Sequence, residues 1–305
     1  MTSYEKFPPE ENPFMFLVAD ITHRCNMTCK NCYIPNRDIP DMDFNKFVEF
    51  IDRLPKKTLI RLIGAEPTMN RELPLYIQAL KERGHRTALL SNGLRFSHKK
   101  YLAMIKDAGL ENIYVSLNGV DNDDWYEEID EMRCASKKLR AVQNIIDSGI
   151  RLETGTIIVK GINEEAPARL NKLLFETHDV KDTLIRIKNV GQIGRHMDDA
   201  DGSFTMDELI KICADGFGIS EEFIHEYKNS GRNPLNHEPN TCVFPLDGIG
   251  RSMLRGAWVK ITNWIVHEDS PNQMPDPGSI RRGRITEDFM CAPFFEDVKE
   301  NEFGY

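Results

Sequence analysis

The chain has 305 residues, a formal net charge of −9 and 40% hydrophobic residues. That length suits one large α/β barrel or two ordinary domains, with enough apolar material for a sizeable core. The acidic balance argues against a general nucleic-acid binder, which needs a basic face. No apolar run approaches the roughly 20 residues of a membrane span.

Residues 1–14 form a polar, acidic, proline-rich lead without the features of a secretory signal. Met15 to Ala19 is a short apolar run that reads as a strand and ends at Cys25, Cys29 and Cys32, spaced Cys-x3-Cys-x2-Cys. Three soft thiolates from one loop suit a four-iron cluster with one iron left open. A zinc knuckle with His23 as fourth ligand is the alternative, although zinc sites usually pair two such elements. The chain has seven cysteines, an odd number. That count and the missing signal argue against disulfides and fit a reducing, cytoplasmic setting.

Beyond the cysteine loop, helical and strand patterns alternate. Asp43 to Leu54 puts Phe44, Phe47, Val48, Ile51 and Leu54 on one helical face, and Leu59 to Ile63 is the next strand. Glu72 to Arg83 is helical, with Leu75, Ala79 and Leu80 expected inward. A helix end, a glycine and a strand then recur around Gly84, Gly109 and Gly149, each glycine in the left-handed position after its helix. The helix before Gly149 is expected to start with Ser136 as its cap and to bury Leu139, Val142, Ile145 and Ile146. Pro167 to His178 is a further helix and Leu184 to Lys188 a sixth strand. Short helix-to-strand turns imply right-handed crossovers and parallel strands. The fold class predicted is α/β: a partial (β/α)6 parallel TIM-like barrel over 15–197 with an α+β extension over 198–305. The cysteine loop, Gly64–Thr68, Ser91–Gly93, Ser116–Asn118 and Gly161–Asn163 all follow strands, so the polar segments fall on the barrel rim where such folds work.

In the extension, Thr205 to Ala214 reads as a helix with a Thr205/Glu208 capping box, and Glu221 to Lys228 as another. Ala257 to His267 alternates like a strand, with Trp258, Lys260, Thr262 and Trp264 on one face. Pro271 to Gly283 reads as a loop, and Phe289 to Phe295 as a tail that folds back as a cover. Cys134, Cys213, Cys242 and Cys291 contain no Cys-x2-Cys pair, which argues against a second cluster. Cys213 reads as core. Arg281, Arg282 and Arg284 are candidates for an anion site, with a solvated loop as the alternative. Trp258 and Trp264 are candidates for a stacking platform, with core packing as the alternative.

Together, the cysteine loop after the first strand and Gly64-Ala-Glu-Pro67 after the second resemble the cluster and Gly-Gly-Glu-Pro motifs of the radical S-adenosylmethionine (SAM) enzymes, with Ala65 replacing one glycine. The resemblance covers roughly residues 14–197. It implies a [4Fe-4S] cluster on Cys25, Cys29 and Cys32, and SAM chelated at the open iron. It further implies that Gly64, Ala65, Glu66 and Pro67 receive the methionyl ammonium, and that Ser91 and Asn92 lie near methionine or ribose. Ser116 and Asn118 would hold ribose, Asn163 and Glu164 would support adenine and its loop, with a helix-start role as the alternative for Glu164, and Val190 and Tyr33 would contact adenine. Arg195 would approach the SAM carboxylate. Asn31 stands where the family often has an aromatic residue.

The expected function is reductive cleavage of SAM to a 5′-deoxyadenosyl radical that abstracts hydrogen from a small polar metabolite, such as a sugar or nucleoside. Epimerisation, elimination or decarboxylation, and carbon–carbon bond formation are the candidate outcomes. Cys242 and Cys291 are candidate hydrogen donors, with an ordinary buried thiol as the alternative. An electron donor such as flavodoxin or ferredoxin is the implied partner, with neither nucleic acid nor membrane. The short lead leaves no room for the leader-binding domain of many peptide-modifying relatives. An auxiliary-cluster dehydrogenase, a peptide-modifying enzyme and a zinc-stapled binding protein are the competing readings.

Overall fold

The computed structural model describes residues 5–293 apart from 31, 33, 35–36, 56, 191–202, 238–239, 249–254 and 264–281. Tyr33, Arg195, Trp264 and Arg281 therefore lie outside the described residues. The βα alternation is β1 (Phe16–Asp20), α1 (Phe44–Arg53), β2 (Leu59–Ile63), α2 (Leu73–Glu82), β3 (Arg86–Ser91), α3 (Lys99–Ala108) and β4 (Asn112–Ser116). It continues through α4 (Asp123–Asp130), α5 (Ala135–Ser148), β5 (Arg151–Ile158), α6 (Ala166–Asn171) and β6 (Thr183–Asn189). A π-helical segment, Lys172–Thr177, prolongs α6. All six strands pair in parallel with their sequence neighbours. The expected mixed α/β fold with a parallel sheet is the one observed.

Local sequence explains most of these elements. Asp43 caps α1 by accepting from Lys46 N, and Gly84, Gly109 and Gly149 all take positive φ where their helices end. Three local expectations need correction. Leu139 and Ile146 of α5 are only half-buried, its buried face running through Ala141, Val142, Asn144 and Ile145. Leu75 is 47% exposed, because the buried stripe of α2 runs through Leu73, Tyr76, Ile77 and Leu80 at helical spacing. Helix α5 starts at Ala135 rather than after Ser136, because Asp123 at the start of α4 accepts from Ala135 N at 2.8 Å.

The chain beyond β6 forms α7 (Met206–Phe217), α8 (Glu221–Asn229), β7 (Thr241–Pro245), β8 (Ala257–Thr262), β9 (Arg282–Ile285) and β10 (Cys291–Pro293). The Thr205/Glu208 capping box is present at α7. Strand β8 joins β6 in parallel, and β9 joins β1 in parallel. The sheet order is β10-β9-β1-β2-β3-β4-β5-β6-β8-β7, with no pairing between its two ends among the described residues. The last two residues of the expected Pro271–Gly283 loop thus begin a strand, while the rest of that loop lies outside the described residues. The lead is tied in by a reciprocal backbone pair between Phe7 and Cys291, 2.8 Å each way. One large apolar cluster joins the outward faces of the strands to the helices.

Candidate active site

Successive strand residues point to opposite sides of the sheet. One set meets the helices. The other, including Val18, Arg61, Leu90, Tyr114, Gly155 and Arg186, lines a cavity of about 290 Å³. Gly155 is needed here, because a Cβ at that position would lie 1.5 Å from Tyr114 Oη.

Cys25, Cys29 and Cys32 all line this cavity and are only partly exposed. The loop carrying them is held by the chain after β2. Ala65 N donates to Thr22 O at 2.9 Å and Glu66 N to Arg24 O at 3.0 Å. This close approach requires Gly64, since a Cβ there would sit 2.3 Å from Thr22 O at a φ of +154°. Burial pushes the Cys25 thiol up, and burial followed by the neighbouring Asp130 carboxylate does the same to Cys29. Arg37 Nη2 donates to Cys32 Sγ at 3.1 Å, and its Nη1 is buried without a hydrogen-bond partner. Among the described residues no three Cys, His, Asp or Glu side chains converge as a single-ion site requires. The cysteines instead border shared space, with an unpartnered donor beside them, and thiolates are the ligands iron–sulfur clusters use. The residues fit such a cluster.

Glu66 is fully buried, and its carboxylate accepts from Thr68 N (3.1 Å), Thr68 Oγ1 (2.5 Å), Ser91 Oγ (2.8 Å) and Asn92 N (2.7 Å). Oε1 takes three of these donors and Oε2 one, so Glu66, which also lines the cavity, keeps an acceptor position on Oε2. Through these bonds Glu66 positions the loop after β3 against the loop after β2. Ser91 and Asn92 line the cavity as expected, and Asn92 Nδ2 also reaches Asn26 Oδ1 at 2.8 Å.

Ser116 and Asn118 line the same cavity. Asn118 Nδ2 donates to Asp130 Oδ1 at 2.8 Å, and Asp130 Oδ2 is buried without a partner. Lys138 is completely buried, donates to Ser116 O at 2.7 Å, and lies 5.2 Å from the Tyr126 ring. Asn163 is saturated by backbone: it donates to Asn118 O and Ile157 O and accepts from Val159 N. It braces the loops after β4 and β5 and is absent from the cavity wall. Val190 is buried against Ile129 and Val159, its carbonyl accepting from Ser203 Oγ at 2.9 Å.

The remaining expected site residues lie elsewhere, apart from one. Cys242 is buried in β7 and Cys291 in β10; both belong to the apolar core, neither borders the cavity, and burial pushes both thiols up to about 12. The alternative of ordinary buried thiols describes them. Trp258 is 3% exposed, packs edge-on against Tyr227 at 6.2 Å and donates to Arg255 O, so it is core. Arg284 donates to Pro293 O and is absent from the cavity wall, whereas Arg282 lines it. The sequence reading omitted Arg37, Arg61, Asp130, Lys138, Arg186 and Lys188. A signal existed for three of these: a charged residue inside the apolar runs Leu59–Ile63 and Leu184–Lys188 points to the inner wall of a barrel.

A parallel sheet carrying a three-cysteine loop on its inner rim defines a class of enzymes built around an iron–sulfur cluster. The family model described as the radical SAM superfamily matches residues 20–174. The chain belongs to the radical SAM superfamily. Membership implies a [4Fe-4S] cluster and SAM as cofactors.

Over 160 residues it is 28% identical to a GTP 3′,8-cyclase of Helicobacter pylori, covering 49% of each chain. It is 24% identical over 235 residues to a 7,8-dihydro-6-hydroxymethylpterin dimethyltransferase of Methanocaldococcus jannaschii, covering 71% of this chain and 45% of that one. Its fold matches SuiB of Streptococcus suis bound to S-adenosylmethionine with a TM-score of 0.56 at 14% identity, over 72% of this chain and 48% of that one. The chain thus spans about half the length of each of these proteins.

Proposed function

We propose that this chain holds a [4Fe-4S] cluster on Cys25, Cys29 and Cys32, cleaves SAM reductively, and acts on a small polar metabolite of the sugar or nucleoside kind. The observation that carries the reading is the meeting of all three cysteines with the Glu66-braced loops on one cavity. The relatives named as acting on GTP support a nucleoside-like substrate. When bound, the cluster supplies the electron that breaks the S–C5′ bond of SAM, and thereby the 5′-deoxyadenosyl radical that abstracts hydrogen.

The chain's own residues do the positioning. Cys25, Cys29 and Cys32 would hold the cluster through their thiolates. The Gly64–Pro67 backbone, fixed by Glu66, offers polar groups for the methionyl end of SAM. Ser91, Asn92, Ser116 and Asn118 face the cavity where ribose hydroxyls find partners, with Asp130 and Lys138 beside them. Val18, Ile63, Leu90 and Ile157 provide the apolar wall that limits water around a reactive intermediate. A one-electron donor such as flavodoxin or ferredoxin completes the system.

Anaerobic reconstitution followed by incubation with SAM and dithionite tests the reading. Expected are about four irons per chain and formation of 5′-deoxyadenosine, both lost in Cys29→Ala. Bound zinc with no cleavage would overturn it.

A further inference from the structure

The inner wall carries an excess of positive charge that the proposed SAM chemistry does not use. Arg61 on β2, Arg186 and Lys188 on β6, and Arg282 on β9 all line the cavity. Their level in the sheet is set by register. Arg282 pairs with Phe16, at the start of β1, and Arg61 pairs with Val18, at its middle. The cysteine loop follows the other end of β1. Arg61, Arg186 and Arg282 therefore form a floor beneath the rim that bears the cysteines, and Lys188, next to the end of β6, stands nearer the rim.

Arg186 and Arg61 are incompletely paired. Arg186 Nη2 donates to Glu153 Oε2 at 2.7 Å, and Asn112 donates to Glu153 Oε1 at 2.7 Å. The Nε of Arg186 is nevertheless buried with no hydrogen-bond partner. Arg61 stands over the Phe16 ring, 4.0 Å from its centroid, and has no hydrogen bond or ion pair among the described residues. Burial, reinforced by the Arg186 and Arg282 guanidiniums, pulls Arg61 down to about 9. A solvated surface arginine shows none of these features. The half-buried guanidinium of Arg61 thus faces the cavity with its donors unused, and the planar fork of arginine fits an oxyanion through two parallel hydrogen bonds.

We infer that the substrate carries an oxyanion group, a phosphate or a carboxylate, and that Arg61, with Arg186 and Arg282, anchors it on the cavity floor so that the remainder of the molecule faces the cysteine rim. This inference deepens the proposed function and rests on it for the identity of the bound molecule as a substrate. The anion site itself can be tested without SAM turnover.

The test uses the reconstituted full chain without reductant. Binding of pyrophosphate and, separately, succinate is measured by calorimetry at fixed ionic strength, for wild type, Arg61→Met and Arg61→Lys. Wild type is expected to bind one of the two in preference, pyrophosphate identifying a phosphate and succinate a carboxylate. Arg61→Met should weaken that binding at least about tenfold, the scale of one lost charge-assisted contact, and Arg61→Lys should restore part of it. In anion-free buffer Arg61→Met should melt at or above the wild-type temperature, because it relieves repulsion with Arg186 and Arg282; an arginine with a merely structural role would lower it. Absence of binding, or equal binding by wild type and Arg61→Met, would overturn the inference. Because no reductant is present, anion binding with failed SAM cleavage would refute only the radical reading, and cleavage without anion binding only this one.

Discussion

Glu66 illustrates how one side chain can organise the site whose wall it helps to form. Its four accepted hydrogen bonds join the loops after β2 and β3 in a fully buried setting. Glu66→Ala would strand those donors, so a loss of about 3–5 kcal/mol in urea unfolding is expected; Glu66→Gln, which keeps one oxygen, should lose less. Glu153 makes a pH prediction. Burial alone would raise its carboxyl, but Arg186 and Asn112 outweigh that and hold it below the ordinary 4.5. A depressed carboxylate stabilises the fold above its unfolded value and loses that contribution as pH falls through the folded one. The stability gap between wild type and Glu153→Gln should therefore be wide at pH 7 and narrow as pH drops below 4.5, read from thermal melts across pH. Gly155→Ala drives a methyl into Tyr114, 1.5 Å from its hydroxyl. An overpacking loss of about 1–3 kcal/mol is expected in the same unfolding assay.

At the scale of elements, a pattern read along the chain held where partners are near in sequence. The Thr205/Glu208 box and the glycines ending α3 and α5 are local devices, three or four residues across. Thr205→Ala should cost about 1 kcal/mol, and hydrogen exchange should accelerate in the first turn of α7 and leave α8 unchanged. Where the partner is remote, the pattern misled. The start of α5 is fixed by Asp123, twelve residues earlier. Leu75 obeys a loose helical count, yet Tyr76, whose hydroxyl donates to Met42 O, takes the inward position.

Across the whole molecule, the chain after α8 extends the barrel sheet at both ends: β8 and β7 beside β6, β9 and β10 beside β1. Among its described residues only Arg282 reaches the cavity wall. The β9 attachment depends on close backbone approach, since a Cβ at Gly283 would lie 2.4 Å from the Phe14 ring. Gly283→Val should loosen β9 from β1, lower the melting temperature and open β9 and β10 to limited proteolysis, with the α1–α3 region still protected.

The sequence by itself determined the cysteine spacing, the six βα units and the rim on which the polar loops fall, because each rests on contacts between near neighbours or on period-two and period-3.6 patterns. It also contained, unread, the charges inside Leu59–Ile63 and Leu184–Lys188. Only the tertiary structure decided that Cys242, Cys291 and Trp258 are core, that Glu66 joins the loops after β2 and β3, and that Arg61, Arg186 and Arg282 share one floor. Those outcomes depend on which strand neighbours which, and a charge on a remote strand leaves no mark on the local sequence.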